Sequence, residues 1–596
     1  MITDIPRTMV HQLHAQAERL KDRPALWSKR SGTWQPTSWR QYAQRVKDFA
    51  LGLLSLGFGP KQAMVVMGFN REEWVVADLA AMACGGVAVG LYTTSSPEQV
   101  AYVAGHCEAP IALVENEAYL ARLLSVRDQL PALKHVVVME PPAKRVEGVL
   151  TYADVLERGA RGDDAEYYAR LEKLEPGALA QMIYTSGTTG NPKGVMLTHR
   201  NLTWTAVHLS MCHPTGEDDV LLSYLPLSHI AEQVCTIYGP LLNGIQVYFA
   251  ESFEKLPENL REVRPTVFFG VPRVWEKFMA KAQAGLESQP KARRKVVAWA
   301  RDVALRYHHD VMAHRQPPLA VQAQYALAQR LVFQKLKQRI GFERTHVFAT
   351  SAAPIAREVL EFFASLDIVI AEVYGQSEVT GPTSVNTKDA IKLGTLGRPM
   401  PGVEVRIADD GEILVRGDNV CAGYFKDEAA TAELLHDGWL HSGDVGQLDE
   451  DGFLRITGRK KEIIVTSGGK KTAPANIEGM LKGIDPVGNA LVIGERRNYL
   501  TAILAIDPEK VGPFAKKLGL PADPKALVAS PAFRAHLEKA IETEVNPRLA
   551  RFETIKKFEV LPHDFTVEGG ELTSTLKVRR KVCEQKYADL IERLYA

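Results

Sequence analysis

The stretch from Ala63 to Val114 alternates between short apolar runs and amphipathic helical periods. Apolar AMVVMG is followed by REEWVVADLAAMAC, apolar VAVGLY by SPEQVAYVAGHC, and the stretch ends in IALVEN. Short apolar runs separated by helical segments are typical of βαβ units, in which parallel strands form a sheet and helices cover its faces. VVV at 136–138 has the same character. The pattern therefore predicts an α/β fold built on a parallel sheet.

The length of the chain predicts more than one domain. At 596 residues it exceeds what one hydrophobic core usually holds. Near Gly458 the sequence becomes charged and glycine-rich, in GRKKEIIVTSGGKK, and a shorter series of strand and helix patterns follows to the C-terminus. We predict a large domain over 1–458 and a small domain over 459–596.

The overall charge argues against a dedicated nucleic-acid binder, because 72 Lys and Arg nearly cancel 71 Asp and Glu. The six cysteines are far apart and form no CxxC pair, which argues against a disulfide framework and a structural zinc site. MITDIPRTMVHQL lacks the pattern of a signal peptide, and the longest uncharged stretch, 79–92, is too short for a bilayer span. We expect a reduced, cytoplasmic chain without a membrane-spanning segment.

The segment 290–340 is helical in pattern, apart from Pro317 and Pro318, and contains eleven Lys and Arg but only two acidic residues. A basic helical insert at about 285–341 can contact anionic lipid headgroups or phosphate-bearing ligands. Charge runs of this kind more often form only a solvated helix face. Peripheral membrane contact through the insert therefore stays open.

The loop YTSGTTGNPKGV, from Tyr184 to Val195, concentrates glycines and hydroxyls directly after the predicted strand QMIYT. Glycines let backbone N–H groups converge on an anion without obstruction by Cβ, and hydroxyls add further donors. Lys193 supplies positive charge. The loop is not a Walker motif, because Pro192 stands five positions after Gly187. The composition predicts a phosphate-binding loop, with a simple Gly/Thr-rich surface loop as the alternative.

Two more polar loops follow predicted strands: SAAP follows HVFAT, and YGQSE follows DIVIAEV. Open α/β sheets bind ligands outside the carboxyl ends of their strands, so the three loops are expected to converge on one crevice. In YGQSE, Tyr374 can offer a ring face to a base, Ser377 a hydroxyl to phosphate and Glu378 an oxygen ligand to magnesium. Taken alone, Glu378 is more typical of a surface carboxylate.

Three further sites carry weaker signals. Asp444 in HSGDVG lies between small residues, where a carboxylate can accept hydrogen bonds from two hydroxyls such as those of a ribose. His229 in LPLSHIAEQ has an apolar setting typical of a core histidine. ELTSTLKVRR predicts a helix capped by Thr573 or Ser574 with Lys577 in its first turn. Cations there oppose the helix dipole by about 0.3–1 kcal/mol, so they indicate either an anion site or a solvated basic turn.

Five motifs together resemble one family. YTSGTTGNPKGV, YGQSE, HSGDVG, GRKKEIIVTSGGK and ELTSTLK, in this order and at these separations, are similar to those of the acyl-adenylate-forming (AMP-binding) superfamily, which includes acyl-CoA synthetases, amino-acid adenylation domains and firefly luciferases. LPLSHIAEQ, the basic insert and TLKVRR most resemble long-chain fatty acid CoA ligases, including the bubblegum-type subgroup. The resemblance covers nearly the whole chain. It implies a large N-terminal domain of stacked mixed and parallel sheets with flanking helices, and a small mobile α+β C-terminal domain.

The resemblance also implies a reaction that uses ATP, Mg²⁺ and coenzyme A as co-substrate. A fatty acid carboxylate attacks the α-phosphate to give acyl-AMP and pyrophosphate, and the CoA thiol then expels AMP. Positioning and charge neutralisation are the main demands, because one anion must approach another. The ATP-binding residues implied by motif position are Thr185, Ser186, Gly187, Thr188, Thr189, Gly190, Lys193, Ser351, Ala352, Ala353, Tyr374, Gly375, Gln376, Ser377, Asp444, Arg459 and Lys577.

Within this set the resemblance assigns individual roles. The loop from Ser186 to Thr189 and Lys193 hold the outgoing phosphates, Tyr374 and 351–353 enclose adenine, and Asp444 with Arg459 binds ribose. Lys577 bridges the acyl carboxylate and the α-phosphate. The remaining assignments are catalytic Lys577, Ser377, Glu378 and His229, metal ligands Thr185 and Glu378, CoA-binding Ser467, Gly468 and Gly469, hinge Lys461, and acyl-binding Phe268, Phe269 and Val271.

Three positions depart from the family pattern. Ser377 replaces a threonine found in many members and keeps the hydroxyl. Leu576 replaces a glycine of many short-chain and aryl members. Gln233 stands where one long-chain branch has a gating tryptophan, so acyl chain length stays open.

Alternative functions are a fatty acyl-AMP ligase that loads a carrier protein and a medium-chain or aryl acid CoA ligase. A non-enzymatic acyl-adenylate sensor or membrane scaffold would be expected to lack Glu378 or Lys577, and both are present. Nothing in the sequence requires luciferase-type oxygen chemistry. The expected partners are a fatty acid, ATP and CoA, without nucleic acid, while a homodimer stays open.

Overall fold

Two long sheets and one smaller sheet dominate the chain before residue 460. The computed structural model describes residues 4–185, 191–573 and 577–596. The strands of this region are β1 (Pro24–Arg30), β2 (Thr33–Ser38), β3 (Ala63–Met67), β4 (Val87–Leu91), β5 (Ile111–Val114), β6 (His135–Val138), β7 (Val149–Thr151), β8 (Leu179–Thr185), β9 (Lys193–Thr198), β10 (Val220–Ser223), β11 (Gln246–Phe249), β12 (Val267–Gly270), β13 (Val347–Thr350), β14 (Ile370–Gln376), β15 (Gly381–Val385), β16 (Arg398–Pro399), β17 (Glu404–Ile407), β18 (Glu412–Arg416), β19 (Gly423–Tyr424), β20 (Leu435–His436), β21 (Trp439–Leu448) and β22 (Leu454–Arg459).

The helices of the same region surround and separate the sheets. They are α1 (Met9–Leu20), α2 (Trp39–Ser55), α3 (Glu72–Ala83), α4 (Pro97–His106), α5 (Glu117–Leu124), α6 (Tyr152–Gly159), α7 (Asp164–Leu171), α8 (His199–Cys212), α9 (Ile230–Gln233), α10 (Gly239–Asn243), α11 (Leu256–Val263), α12 (Pro272–Glu287), α13 (Lys291–Met312), α14 (Leu319–Ala328), α15 (Gln334–Ile340), α16 (Arg357–Ala364) and α17 (Glu428–Leu434). One π-helical turn, Val234–Tyr238, joins α9 to α10, and another, Gln329–Phe333, joins α14 to α15.

Both long sheets have a parallel centre and antiparallel edges. The eight-stranded sheet has the order β19-β9-β8-β4-β3-β5-β6-β7, and its strands are parallel from β8 to β7. The nine-stranded sheet has the order β16-β15-β14-β13-β12-β10-β11-β1-β2, and its strands are parallel from β14 to β1. The smaller sheet has the order β17-β18-β21-β20, with β22 paired to β21.

Burial on both faces explains the apolar strands of the eight-stranded sheet. In β3, Met64 and Val66 belong to the hydrophobic cluster of the helical layer between the long sheets, whereas Ala63, Val65 and Met67 pack in the cluster that includes α4 and α5. Successive strand residues point to opposite faces, so a strand covered on both sides must be apolar throughout. The α/β fold predicted from the alternation at 63–114 is confirmed.

The C-terminal region is a separate α+β unit with its own hydrophobic core. Its sheet has the order β25-β26-β27, and β23 and β24 form a hairpin beside it. The elements are β23 (Ile464–Val465), β24 (Lys471–Thr472), β25 (Val487–Ile493), β26 (Leu500–Ile506), β27 (Ile555–Leu561), α18 (Pro474–Lys482), α19 (Pro508–Leu518), α20 (Pro524–Val528), α21 (Pro531–Ala540), α22 (Arg580–Lys586) and α23 (Ala588–Tyr595).

The predicted start of the C-terminal helix is wrong. The helix begins at Arg580, so Lys577 precedes it. The Thr573 N–H donates to the Lys577 carbonyl, and the Lys577 N–H donates to the Thr573 hydroxyl. This pairing holds the Lys577 backbone against Thr573 and outside the helix, because a threonine hydroxyl competes for backbone groups.

The basic insert is helical as predicted, with α13, α14 and α15 and with Pro317 and Pro318 between the first two helices. Across the parts of the chain that the structure describes, no helix combines the length and the hydropathy that a bilayer crossing requires.

Candidate active site

A cavity of about 1010 Å³ lies at the carboxyl ends of the parallel strands and continues between the nine-stranded sheet and α8 to α10. Loops that are far apart in sequence converge there, as the strand pattern predicts. The predicted site residues that line it are Thr185, Lys193, His229, Ser351, Ala352, Phe269, Gly375, Gln376, Ser377, Glu378, Asp444, Arg459, Lys461 and Lys577. Ser186, Gly187, Thr188, Thr189 and Gly190 lie outside the described residues.

A β-hairpin fixes the two described ends of the glycine-rich loop. Thr185, the last residue of β8, pairs with Lys193, the first residue of β9. The Lys193 ammonium lies 3.7 Å from Asp427 and 4.8 Å from the centre of the Tyr424 ring. This cation is 44% exposed at the cavity mouth, so an incoming polyphosphate can reach it.

Glu378 follows β14 in a single 3-10 turn, Ser377–Val379, and its side chain is buried. The turn ends at Thr380, whose φ of 59° reverses the chain into β15. The Tyr424 hydroxyl donates to Glu378 Oε1 at 2.9 Å. Tyr424 thus contacts both Glu378 and Lys193, a connection that sequence reasoning missed because it depends on the pairing of β19 with β9.

Asp444 is held from two sides. The Tyr374 hydroxyl donates to Asp444 Oδ2 at 2.8 Å, and Arg459 Nε lies 3.1 Å from Asp444 Oδ1. Asp444 and Arg459 are register partners in β21 and β22, which explains how distant motifs meet. Burial and the Asp444 carboxylate raise the pKa of Tyr374, which keeps its hydroxyl a donor. Tyr374 is buried behind Asp444, so the side chain reaches the site through that carboxylate.

Lys577 enters the cavity from the small domain and keeps solvent contact in the cleft between the domains. Its enclosure in the cleft and the Arg459 cation lower its pKa, while Asp444 and Glu378 oppose that shift. An anion that binds beside Lys577 would stabilise the charged form of this lysine.

His229 is a cavity residue rather than part of the closed core. Burial and Lys577 lower its pKa to about 4, so its imidazole is neutral at physiological pH. The Ala231 N–H donates to His229 Nδ1 at 3.2 Å. The proton therefore resides on Nε2, which leaves this nitrogen a hydrogen-bond donor.

Two features of the strand-end loops fit a nucleotide. Gln376 Nε2 is buried and has no hydrogen-bond partner among the described residues, as expected of a donor that awaits a ligand. Ala352 adopts a φ of 74°, a strained conformation for a residue with a side chain, and such strain often occurs at ligand-binding loops. Ser351 donates to the Val373 carbonyl at 2.8 Å and secures this loop to β14.

The oxygen donors fit a magnesium ion that is shared with a nucleotide. Thr185 and Glu378 line the same cavity, and hard oxygen ligands suit Mg²⁺. Within 4–185, 191–573 and 577–596 there is no cluster of three or more potential metal-ligating residues.

The far part of the cavity is apolar. One wall is a face of the nine-stranded sheet, where alternate residues of adjacent strands point inward: Leu221, Val267, Phe269, Val347, Ala349 and Val373. The opposite wall is formed by Ala206, Leu209, Ile230, Val234, Cys235 and Ile245. This channel suits a hydrocarbon chain.

Of the three residues predicted to bind the acyl chain, one lines the cavity and two pack elsewhere. Phe269 lines the cavity, whereas Phe268 points to the other face of β12 and packs against Trp275 and Phe342. Val271 precedes α12 and packs with that same aromatic core. Phe268 and Val271 therefore do not form the cavity wall: strand alternation directs Phe268 to the face opposite Phe269, and Val271 lies beyond the end of β12, at the start of α12.

Gln233 lies in the core rather than across the channel. Its amide donates to the Leu227 carbonyl at 2.9 Å and accepts from the Tyr238 hydroxyl at 3.0 Å. The side chain is fully buried, so it does not act as a gate in this arrangement.

The connection to the small domain is anchored to the large domain at Lys460. Lys460 Nζ lies 2.6 Å from Asp410 and 2.9 Å from Glu412, both in the large domain. Lys461 follows in the 3-10 turn Lys460–Glu462. The predicted CoA-binding segment 467–469 is an exposed hairpin tip between β23 and β24, away from the cavity.

Comparison with known proteins gives matches over the whole chain. The family model for AMP-binding enzymes matches residues 13–425, and that for the AMP-binding enzyme C-terminal domain matches residues 461–596. The long-chain-fatty-acid–CoA ligase ACSBG2 of Gallus gallus is 38% identical over 100% of this chain and 82% of its own length. The long-chain-fatty-acid–CoA ligase FadD15 of Mycobacterium bovis is 36% identical over 95% of this chain and 93% of its own length.

Solved structures share the fold. The adenylation domain of a carboxylate reductase from Mycobacterium chelonae superposes with a TM-score of 0.77 at 22% identity, covering 100% of this chain and 92% of that domain. An anthranilate CoA ligase in complex with anthranoyl-AMP gives a TM-score of 0.72 at 17% identity, covering 98% of both chains.

Proposed function

The chain belongs to the AMP-binding enzyme family, and we propose that it is an AMP-forming long-chain fatty acid–CoA ligase. One observation carries the proposal: a polar end with Glu378, Asp444 and Lys577 and a long apolar channel belong to one continuous cavity. A carboxylate at their junction would have its chain in the channel and its charged group beside the nucleotide site.

The first step joins the fatty acid to AMP. A carboxylate oxygen attacks the α-phosphorus of ATP, and the bond to the β-phosphate oxygen breaks to release pyrophosphate. Lys577 offsets the negative charge of both reactants, and Lys193 holds the outgoing phosphates. Asp444 and Arg459 orient the ribose, Tyr374 fixes the position of Asp444, and Gln376 and His229 offer N–H donors.

Thr185 and Glu378 would hold Mg²⁺, which neutralises phosphate charge when it is bound. Ser377, the residue before Glu378, would offer its hydroxyl to the phosphate. The loop from Ser186 to Gly190 belongs to the phosphate site by motif, and Ala353 and Gly375 belong to the adenine loops.

The second step transfers the acyl group to CoA. The thiol releases its proton to solvent, sulfur attacks the acyl carbonyl carbon, and AMP leaves with the bonding electrons of the C–O bond. Ser467, Gly468 and Gly469 would reach the thiol path after the small domain rotates about Lys461. Their distance from the cavity in the present arrangement and the presence of Lys577 within it fit the adenylating state.

The apolar channel favours long acyl chains, because each buried methylene contributes about 0.8 kcal/mol. Short acids would leave most of the channel uncovered. A cytoplasmic location remains a prediction, and peripheral membrane contact through the basic insert and a homodimer are open alternatives.

The deciding experiment supplies purified protein with Mg·ATP and a panel of short, medium, long and aryl acids. Pyrophosphate release measures the first step, and CoA-dependent AMP release measures the second. We expect both with long-chain acids. Pyrophosphate release without CoA-dependent AMP would instead indicate a ligase that loads a carrier protein, and a preference for aryl or medium-chain acids would contradict the long-chain assignment.

A further inference from the structure

The outer face of α14 and of the π-helical turn that follows it exposes leucines, and cations lie in that turn and in α15. Leu319 is 80% exposed, Leu327 is 49% exposed and Leu331, in the π-helical turn after α14, is 47% exposed. Six of the eleven exposed large hydrophobic side chains in the described part of the chain lie within the basic insert. Soluble surfaces seldom concentrate such side chains without a partner.

These leucines share one stripe. Leu319, Ala323, Ala326, Leu327 and Leu331 follow a spacing of i, i+4, i+7, i+8 and i+12, and all five are exposed. That spacing places them on one side of the helix. We call these five residues the leucine stripe.

The opposite side of the helix is firmly attached, so the stripe cannot turn inward. Ala328, Val332 and Phe333 pack in a small core with α13. The buried Asp367 carboxylate accepts hydrogen bonds from His308 and Tyr325 on the insert and contacts Lys337 at 2.7 Å.

Asp367 remains ionised in this attachment. Burial disfavours the charge, but the hydrogen bond from His308 and the Lys337 cation hold its pKa well below its usual range. The insert is therefore attached through a carboxylate that stays charged at physiological pH. This attachment keeps the leucine stripe on the outer surface.

The charges around the stripe are of one sign. From Val311 to Phe342 the sequence contains five Lys and Arg and no Asp or Glu. Arg330, Lys335 and Arg339 are exposed and form no ion pair with any residue that the structure describes. Apolar side chains flanked by free cations are complementary to a membrane surface that carries anionic headgroups.

We propose that the leucine stripe docks the protein on the surface of a bilayer that contains anionic lipids. The leucines enter the headgroup region, and Arg330, Lys335 and Arg339 contact lipid phosphates. A second copy of the chain is a poorer partner, because a two-fold interface on this face would oppose the same cations across the axis. This inference goes beyond the proposed reaction and does not depend on it.

The test is co-sedimentation of the full chain with vesicles of phosphatidylcholine, with and without phosphatidylglycerol. Wild type should bind the anionic vesicles, and L327E combined with L331E should weaken binding at least tenfold. L448E combined with L518E is the matched control, since Leu448 and Leu518 are similarly exposed outside the insert. The control should bind like wild type, and both variants should keep the wild-type circular dichroism spectrum.

Charge is tested separately with R330Q combined with K335Q. This variant should lose the preference for anionic vesicles, and raising the salt from about 0.1 M to about 0.5 M should weaken wild-type binding. Wild type that stays in the supernatant, or L327E/L331E that binds like wild type, would overturn the proposal. Sedimentation velocity without vesicles gives one further outcome. A dimeric wild type together with a monomeric L327E/L331E would assign the leucine stripe to contact with a second copy and would also overturn the proposal.

Discussion

The Tyr424 hydroxyl donates a 2.9 Å hydrogen bond to Glu378 Oε1. The ring of the same tyrosine lies 4.8 Å from the Lys193 ammonium. One side chain therefore positions both the proposed metal ligand and the proposed phosphate cation. Tyr424 thereby links the proposed metal position to the proposed phosphate position.

Tyr424→Phe should raise the magnesium concentration needed for half-maximal pyrophosphate release by about 3- to 10-fold, because Glu378 loses a hydrogen bond to its charged group. Tyr424→Leu should in addition raise the KM for ATP, since Lys193 loses its aromatic support. Tyr499→Phe removes a comparable hydroxyl contact, to the Leu594 carbonyl, and serves as control. An unchanged magnesium dependence in Tyr424→Phe would refute the positioning role.

Lys577→Ala should reduce ATP–pyrophosphate exchange by about 100-fold or more, because the cation between the two anions is lost. The variant should still form acyl-CoA from supplied acyl-AMP. Lys581→Ala, at an exposed position four residues away, should leave both half-reactions intact. Equal losses in both half-reactions of Lys577→Ala would contradict the assignment to adenylation alone.

The pH dependence of adenylation should reveal the lowered pKa of Lys577. Lysine is a cation below its pKa, so a lowered pKa means that the cation is lost at a lower pH than usual. We expect kcat/KM for exchange to fall on the alkaline side below the ordinary lysine range. In Lys577→Arg that fall should move to higher pH, because arginine does not titrate there. A profile that Lys577→Arg leaves unshifted would exclude Lys577 as the titrating group.

Gly468→Trp should impair thioester formation by about tenfold or more through misplacement of the thiol path, while exchange stays close to wild type. A Cβ at Gly468 meets no atom within 4 Å in the present arrangement, so the adenylating state tolerates the change. Gly177→Trp, at another open and exposed glycine, is the control. A selective exchange defect in Gly468→Trp would be the opposite of what we expect.

The neighbouring residues Phe268 and Phe269 should respond differently to truncation. Phe268→Ala should destabilise the protein by about 3–5 kcal/mol, because the side chain fills an aromatic core. Phe269→Ala should cost much less stability and shift the preferred acyl length, because it opens the channel wall. Thermal unfolding and an acid panel measure the two effects. A shift in acyl preference from Phe268→Ala alone would reverse the assignment of the faces.

The meeting of the three strand-end loops was predictable, because parallel strands bring their carboxyl ends to one edge. The face of β12 that lines the cavity was not predictable from the sequence. Alternation along a strand identifies its two faces but does not tell which of them is covered by helices. Tyr424 carried no local signal, because its role arises when β19 pairs with β9 across more than two hundred residues of sequence. The helix predicted to include Lys577 begins only at Arg580, since the Lys577 N–H donates instead to the Thr573 hydroxyl.

Lys460 forms ion pairs with Asp410 and Glu412 of the large domain, and this anchor determines where rotation of the small domain can begin. If the small domain rotates about Lys461 as proposed, the backbone torsions directly after Lys460 would form the pivot, and Lys577 would move with the small domain. Withdrawal of Lys577 would then leave the proposed contacts of Asp444 and Arg459 with the nucleotide in place, because both residues belong to the strand pair that precedes the pivot.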